Sequence, residues 1–322
     1  MKRLQQFAML LAMACVITAS HAQKYPERPV TLVIPFPPGA STDAFGRLIA
    51  QRMTQDLKQQ VVVVNRDGAA GVIGTNYVAR AAPDGYTLLW GTSSGLAIMP
   101  ALKKKLPYDP QRDFAPISLG AKVSWVLVVH PSVPADNVKA LVALAKKHPG
   151  KLNFASAGTG GAPHLAGELF KVTTGIDVVH IPYRGTALFA VDLVAGQVDY
   201  GFASPLTTQP FTNSGRLKAL AVTSAKRLDI YPEIPTMAEA GYPKFELTQW
   251  YAMVAPAGTP AGIIATLNTA VRNALTDPNV IKRLANDGGL PAPTSPEGLA
   301  EFIRNDTASY AKIIEKAGIK TE

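Results

Sequence analysis

LNFASAGTGGAPHLAGELF, residues 152–170, is the stretch that decides the fold. Its first five residues predict a strand, residues 158–161 a glycine-rich turn, and the apolar spacing after Pro163 a helix. Glycines let a ligand approach the backbone, and the first N–H groups of a helix carry a partial positive charge. A turn of this kind can therefore bind an anion.

A second copy of the same device occupies residues 30–53, VTLVIPFPPGASTDAFGRLIAQRM. TLVIPF predicts a strand, Pro37–Gly39 a turn, and Ser41 or Thr42 an N-cap for the following helix. We expect the two turns to face each other across a cleft and to hold one small acidic molecule. The alternative for either turn alone is ordinary α/β packing, which is the commoner use of this device.

The composition allows a large folded core and gives no indication of a nucleic-acid partner. Of the 322 residues, 47% are hydrophobic and 17% are charged, which suits two α/β lobes. The formal net charge is +9, and loss of Lys2 and Arg3 with the leader described next lowers it by two, to +7. Because the Lys and Arg residues are scattered, we expect a solvated surface with some attraction for anions.

The N-terminus has the pattern of a secretory signal peptide. Lys2 and Arg3 precede the apolar run FAMLLAMACVITA, and residues 20–22, SHA, place small residues before a cleavage site. The apolar run is too short to span a membrane. We therefore expect cleavage after Ala22, removal of residues 1–22, and export across the inner membrane.

The sole cysteine, Cys15, lies within that leader. A lipoprotein cut before Cys15 is the alternative, but Ala12 stands where such sites usually carry leucine. Without Cys15 the mature chain has no disulfide, no thiolate metal site and no cysteine nucleophile. No pair of histidines has metal-binding spacing, so we expect neither a metal nor a cofactor.

Strands and helices alternate along the chain, which predicts an α/β fold. A long strand, SWVLVVH, could cross from one lobe to the next, and two amphipathic helices near the C-terminus read as helices that pack on the first lobe. We predict that residues 23–124 together with 231–322 form lobe 1, and that residues 125–230 form lobe 2.

Seven segments carry a resemblance to a known family: YPERPVTLVIPFPPGASTDAFGRLIA, SAGTGGAPHLAGELF, IPYRG, GQVDYGF, LKALAVTSAKR, IPTMAEAGYP and W-x-x-x-x-APAGTP. In this order they closely resemble the extracytoplasmic solute-binding proteins of tripartite tricarboxylate transporters, also called Bug or TctC-like proteins. The resemblance runs from about Tyr25 to the C-terminus. It implies a two-lobed periplasmic-binding-protein (Venus flytrap) fold, each lobe a mostly parallel sheet flanked by helices.

The resemblance also implies a function. Members of the family trap organic acids, some amino acids or aromatic carboxylates in the periplasm for membrane permease subunits, although many have no neighbouring permease. We expect a monomer that binds a small mono- or dicarboxylate, with or without an aromatic ring, and does not change it chemically.

Carried over to this chain, the resemblance makes the turn at residues 37–42 one jaw of the site and the turn at residues 156–161 the other. IPYRG and the segment 199–204 resemble further wall positions, and Ser93 and Ser94 follow a strand that ends at the predicted crevice. A hydroxyl-rich turn is the alternative for the two serines. The predicted ligand-binding residues are Phe36, Pro38, Gly39, Ala40, Ser41, Thr42, Asp43, Ser93, Ser94, Ser156, Gly158, Thr159, Gly160, Gly161, His164, Arg184, Gly185, Thr186, Asp199 and Ser204.

This chain departs from the family pattern at several places. Ala40 stands where a second glycine is usual, and Gly161 stands where serine is frequent. Leu96 and Met99 occupy positions that commonly carry His and Asn. These two side chains predict a less polar cavity wall and favour a ligand with an apolar or aromatic part.

Four titratable residues near the turns have alternatives to ligand contact. Asp43 can instead cap its helix, and His164 can be satisfied by local backbone. Arg184 can hold a carboxylate bidentately or form a surface ion pair. Asp199 can meet an amine of the ligand, but we favour a hydrogen bond to the adjacent loop.

Two other classes of protein remain as alternatives. A hydrolase could use Ser156 with His164 or His180, but the chain has no G-x-S-x-G elbow and Ser156 precedes its turn. A sensor that presents its closed form to a signalling partner would have the same binding site.

Overall fold

The structure, a computed structural model, describes residues 25–103, 105–243, 245, 247–286, 288–316 and 318–319. The predicted signal peptide, residues 1–22, lies outside this range. Apolar runs bounded by glycine, proline and polar turns form the strands, and amphipathic segments form the helices. The strands of the described residues are β1 (Val30–Ile34), β2 (Val61–Asn65), β3 (Thr87–Thr92), β4 (Phe114–Ser124), β5 (Val126–Val129), β6 (Asn153–Ser156), β7 (Val179–Pro182), β8 (Tyr200–Ala203), β9 (Lys218–Val222), β10 (Thr248–Pro256) and β11 (Gly289–Pro291). The α-helices are α1 (Ser41–Leu57), α2 (Val72–Ala79), α3 (Met99–Leu102), α4 (Val138–Lys147), α5 (Ala162–Thr174), α6 (Thr186–Val194), α7 (Pro205–Asn213), α8 (Ala261–Thr276), α9 (Pro278–Asn286) and α10 (Pro296–Lys316).

The strands form two sheets, with helices packed on both. The first has the order β11-β4-β10-β3-β1-β2 and packs against α1, α8 and α10. The second has the order β7-β6-β8-β5-β9 and packs against α5 and α6. The predicted α/β class with two helix-flanked sheets is confirmed. Among the described residues, no helix combines the length and hydrophobicity that a membrane span requires.

Both sheets are mixed, whereas the sequence predicted mostly parallel sheets. β1 runs parallel to β2 and β3, and β6 runs parallel to β7 and β8. The pairings of β10 with β3 and β4, of β11 with β4, and of β5 with β8 and β9 are antiparallel. A helical crossover returns the chain in the same direction, but β5 follows β4 without a helix and β10 follows a helix-free segment, so neither is held parallel.

The chain passes between the sheets at two places. It leaves the first sheet at Ser124 and enters the second at Val126, so the stretch predicted as one crossing strand is interrupted at Trp125. It returns between Val222, the end of β9, and Thr248, the start of β10. This strand distribution is compatible with lobes divided near residues 124 and 231; those boundaries themselves stay a prediction.

Near the C-terminus the structure contains elements that the sequence did not predict. The two predicted helices are α8 and α10, and α9 and the short strand β11 lie between them. The helix α9 is only nine residues long and buries Val280 and Leu284, one turn apart. A helix that short presents too little apolar periodicity to stand out from a loop.

Candidate ligand-binding site

Three helices begin at one cavity between the two sheets, which we call the inner cavity. The turns before α1, α5 and α6 form its walls, and each turn follows a strand of a parallel pair, β1, β6 or β7. The inner cavity therefore lies at the carboxyl ends of these strands, where α/β sheets usually bind ligands. It contains about 650 Å³ of empty space, part of it open to solvent. Its lining residues are Phe36, Pro37, Pro38, Ala40, Thr42, Ser94, Trp125, Ala157, Gly161, Pro163, Gly185, Thr186, Ala187, Leu188 and Gln249.

The lining is mostly apolar and, within the described part of the chain, carries no charged side chain. Polar groups come from Thr42, Ser94, Thr186 and Gln249. The helices α1, α5 and α6 direct their N-termini, which carry partial positive charge, toward this region. The inner cavity thus combines electropositive backbone with neutral side chains.

Asp43 holds the turn before α1. Its carboxylate accepts hydrogen bonds from the Gly39 N–H at 3.3 Å, from Nε of Arg47 at 2.9 Å and from Nδ2 of Asn65 at 2.9 Å. Asn65 also donates to the Phe36 carbonyl at 2.9 Å. Burial alone would raise the pKa of Asp43, but these hydrogen bonds outweigh it and hold the pKa below its ordinary value. Both Asp43 oxygens are thus engaged within the protein.

Two histidines hold the turn before α5. Oγ of Ser156 lies 2.6 Å from Nε2 of His180 and accepts a hydrogen bond from the Gly158 N–H at 3.1 Å. The Gly160 N–H donates to Nδ1 of His164 at 3.2 Å. Neither histidine side chain lines the inner cavity. Burial lowers the pKa of His164, and burial together with the neighbouring ring lowers the pKa of His180 to about 3.

The two sides of the cleft touch at the turns. Oγ of Ser94, which follows β3, accepts a hydrogen bond from the N–H of Ala162, the first residue of α5, at 3.1 Å. Gly160 lies against Met99 and Leu102 of α3, and Gly185 lies against the ring of Pro37. These contacts join elements packed on different sheets. The turns before α1, α5 and α6 therefore lie where the two sides of the cleft meet.

The floor of the inner cavity comes from the crossings between the sheets. Trp125 sits between β4 and β5, and Gln249 is the second residue of β10. Oγ of Ser93 donates to Oε1 of Gln249 at 2.9 Å, and both residues are buried. The indole N–H of Trp125 is buried without a hydrogen-bond partner among the described residues. A ligand on this floor would contact the segments that connect the two sheets.

An outer cavity adjoins the inner one, and Phe36 and Ala157 line both. Gly158, Thr159 and Arg184 line the outer cavity, opposite the segment Asp67–Gly71. The backbone from residue 68 to residue 71 has positive φ throughout, including the two alanines. Arg184 lines this outer cavity and not the inner one.

The predicted site residues fall into three groups. Phe36, Pro38, Ala40, Thr42, Ser94, Gly161, Gly185 and Thr186 line the inner cavity. Gly158, Thr159 and Arg184 line the outer cavity, together with Phe36. The others line neither cavity, and they are Gly39, Ser41, Asp43, Ser93, Ser156, Gly160, His164, Asp199 and Ser204.

Asp199 and Ser204 illustrate why some predicted residues lie apart from the cavity. Asp199 precedes β8 and exchanges hydrogen bonds with Asn153 at the start of β6, at 2.7 and 3.1 Å, so it lies at the amino ends of these strands. Ser204 lies at the N-cap position of α7, and its carbonyl accepts from the Thr207 and Thr208 N–H groups. The sequence favoured a hydrogen bond from Asp199 to the adjacent loop; the observed side-chain partner is instead Asn153, the first residue of β6.

The apolar part of the inner cavity comes from other residues than the sequence indicated. Leu96 is fully buried and packs beneath Gly91, whereas Met99 packs on Gly160 and lines the outer cavity instead of the inner one. Trp125 and Leu188 provide apolar surface instead. Sequence reasoning also missed Gln249, because a residue at the start of a β-strand carries no local indication that its strand ends beside a distant turn.

The geometry of Ser156 disagrees with that of a serine nucleophile. Ser156 is completely buried, and its hydroxyl oxygen already accepts the Gly158 N–H. A nucleophile elbow instead exposes its hydroxyl at the apex of the turn. The part of the chain that the structure describes also contains no cluster of three or more His, Cys, Asp or Glu residues that could hold a metal ion.

A two-lobed α/β fold with an uncharged, helix-lined cavity between its sheets is that of a solute-binding protein. Residues 45–319 match the model of the tripartite tricarboxylate transporter family receptor, TctC. The chain is 39% identical to BugT of Bordetella pertussis over 96% of this chain and 95% of that protein. The protein belongs to the TctC family of solute-binding receptors.

Solved structures resemble this one over nearly its whole length, and periplasmic binding proteins are among them. Rpa4515 of R. palustris, solved with adipate, has a TM-score of 0.89 and 36% identity, covering 92% of this chain and 99% of that chain. MatC from Rhodopseudomonas palustris, solved with bound malate, has a TM-score of 0.85 and 33% identity, covering 90% of this chain and 100% of that chain. These similarities confirm the predicted family and fold.

Proposed function

We propose that this protein binds a small mono- or dicarboxylate in the inner cavity and passes it unchanged to the permease subunits of a tripartite tricarboxylate-type transporter. The observation that supports this most is the meeting of three helix N-termini at a cavity without a charged side chain in its described lining. Backbone N–H groups at helix starts bind anions without a buried countercharge. Hydrogen bonds to an ionised acceptor are about twice as strong as those between neutral groups.

The polar side chains of the inner cavity suit a ligand with two polar ends. Thr42 lies at the start of α1 and Thr186 at the start of α6, so their hydroxyls come from different sides of the cleft. Gln249 adds an amide at the floor. A ligand with two carboxylates, or with one carboxylate and another polar group, could accept hydrogen bonds from these neutral groups at both of its ends.

The apolar lining suits the hydrocarbon between those ends. Phe36, Trp125 and Leu188 present two rings and an aliphatic side chain to the inner cavity. An aliphatic chain or an aromatic ring packed against them would be removed from water, which stabilises the complex by about 25 cal/mol per Å² of apolar surface. The adipate and malate found in the two relatives are dicarboxylates of this kind.

Ligand capture would close the two lobes. Only a closed cleft brings the turns before α1, α5 and α6 onto one ligand, so binding favours that state. We propose lobe boundaries near residues 124 and 231, a monomeric protein, and export to the periplasm after cleavage of residues 1–22. The buried Ser156 and the family assignment favour binding without catalysis.

A thermal-shift screen of organic acids, amino acids, sugars and cations tests the proposal. The protein is the chain without residues 1–22, unfolded and refolded to remove bound molecules. At a hundredfold excess over Kd, a binding acid should stabilise the protein by about 2.7 kcal/mol. Thr186→Val removes one hydroxyl of the inner cavity and should reduce the shift, whereas Thr269→Val, on an exposed face of α8, should leave it unchanged. Shifts produced only by sugars or cations, or consumption of the acid during incubation, would contradict the proposal.

The transport role needs a separate test in cells. Deletion of the gene for this chain should abolish uptake of the acid that gives the largest thermal shift, and a plasmid copy should restore it. Normal uptake in the deletion strain would leave the binding activity intact and refute the transport role.

A further inference from the structure

Three rings stack beneath the turn before α5. Phe154 of β6 packs on His180 of β7 with centroids 4.8 Å apart, and His180 lies 4.2 Å from His164 of α5. Ser156 ends β6 next to these rings and is completely buried. Two histidine rings this close together are unusual, because two imidazolium charges at this distance would repel each other strongly.

Each histidine supports one glycine of the turn. Nδ1 of His164 accepts directly from the Gly160 N–H at 3.2 Å. His180 acts through Ser156, whose hydroxyl lies 2.6 Å from Nε2 and accepts from the Gly158 N–H at 3.1 Å. Gly158 and Gly160 flank Thr159 within the turn that leads to the N-terminus of α5.

The contact of His164 requires an unprotonated Nδ1. An imidazolium has N–H groups at both positions and no acceptor, so a proton on this ring removes the partner of the Gly160 N–H. The tautomer with a proton on Nε2 points that N–H toward Glu168, whose Oε1 lies 3.9 Å away. Glu168 is itself paired with Lys171 at 3.1 Å, which limits the help it gives to a charged His164.

The remaining charges around the rings do not stabilise a proton on either one. Lys171 opposes a charge on both histidines, and His164 opposes a charge on His180. Tyr200 of β8 packs against Phe154 with its buried hydroxyl in the neutral form, because burial raises its pKa. Asp199, the next acid, is engaged by the Asn153 N–H.

We propose that His164 and His180 are positioning residues of the carboxylate site: as a pair of neutral rings they hold the turn at residues 156–161 in its ligand-binding shape, and a proton on His164 releases it. The consequence for binding rests on the function proposed above. Ligand affinity should fall on acidification before the protein unfolds. The rings would thus make the shape of the turn at residues 156–161 depend on pH, although no titratable side chain lines the inner cavity in the described residues.

Hydrogen–deuterium exchange of the ligand-free protein tests whether the two histidines hold the turn at residues 156–161. His164→Asn keeps an acceptor near the position of Nδ1 and cannot titrate, whereas His164→Leu has no acceptor. Exchange in the segment 156–161 of His164→Leu should be roughly two- to tenfold faster than in the wild type at neutral pH, the factor for one lost hydrogen bond. His164→Asn should exchange like the wild type, and so should His148→Leu, a control at an exposed position outside this cluster.

The acid dependence supplies a measurement that a purely structural role would not change. After correction for the intrinsic exchange rate, protection of the turn in the wild type should fall as the pH is lowered below 6.5, and in His164→Asn/His180→Gln it should stay level. Kd values for adipate, malate and benzoate, measured over the same pH range, should follow the same pattern for whichever acid binds. Equal protection profiles in the wild type and the double variant, or unchanged exchange in His164→Leu, would overturn the proposal. Absence of binding by all three acids would count against the carboxylate function and leave the exchange result to decide the role of the rings.

Discussion

A methyl group added to Gly160 tests whether the cleft closes on the turn before α5. Gly160 has φ +80°, and an added Cβ would collide with Sδ of Met99 and lie 3.0 Å from Cδ2 of Leu102. Both neighbours belong to α3, which packs against α10 beside the first sheet, whereas α5 packs on the second. Gly160→Ala therefore places a methyl group between the two sides of the cleft.

Two costs of different origin can be separated in this variant. A left-handed backbone costs a residue other than glycine about 1–2 kcal/mol, and this strain is present whether the cleft is open or closed. Overlap with a packed side chain costs about 1–3 kcal/mol and arises only where the cleft is closed. In the proposed function the ligand binds only to the closed cleft, so the overlap energy should appear as a loss of affinity of roughly 5- to 150-fold.

Titration calorimetry with the acid that gives the largest thermal shift measures the loss of affinity, and urea denaturation measures the strain. Gly175→Ala is the matched control, because Gly175 has φ +68° and an added Cβ would meet nothing within 4 Å. Shortening the colliding side chain in Met99→Ala/Gly160→Ala should restore most of the affinity. Equal affinities for Gly160→Ala and Gly175→Ala would refute a closed contact at this turn.

Three further predictions concern the walls of the site. Gln249→Leu should weaken acid binding by roughly two- to tenfold in calorimetry through loss of one hydrogen bond, and unchanged affinity would remove Gln249 from the site. Trp125→Phe should abolish most of the ligand-induced change in tryptophan fluorescence; a change of wild-type size would place the ligand away from this indole. Asp43→Asn should lower the unfolding free energy at pH 7 by about 1 kcal/mol. Because the pKa of Asp43 is held below its ordinary value, its contribution is present above about pH 3.9 and lost as the pH falls through the lowered value, so the variant and the wild type should converge in acid urea titrations.

The two turns that form the candidate site could be predicted from the sequence because their information is local. Proline and glycine at residues 37–39, and glycines at 158–161, mark a strand-to-helix turn within one short stretch. The structure places eight of the predicted residues in the inner cavity, all of them in or next to such turns except Ser94. Whether each contacts a ligand stays a prediction.

The floor of the cavity could not be predicted, because it depends on contacts between distant segments. Trp125 reads as part of a continuous strand, and only the change from the first sheet to the second at this residue brings it to the cavity. Leu96 shows the opposite error, because a position that resembles a cavity wall packs beneath Gly91 instead. The contact between the two histidines has the same cause, since His164 and His180 meet only through the pairing of β6 with β7 beneath α5.

Equilibrium dialysis of the refolded protein against a mixture of organic acids, amino acids and sugars, followed by proton NMR of the retained molecules, tests the central claim most directly. We expect one carboxylate per protein, recovered with an unchanged spectrum, and loss of retention in Gly160→Ala but not in Gly175→Ala. Retention of a sugar with no acid retained, or recovery of the acid as a different compound, would contradict a carboxylate-binding protein that performs no chemistry.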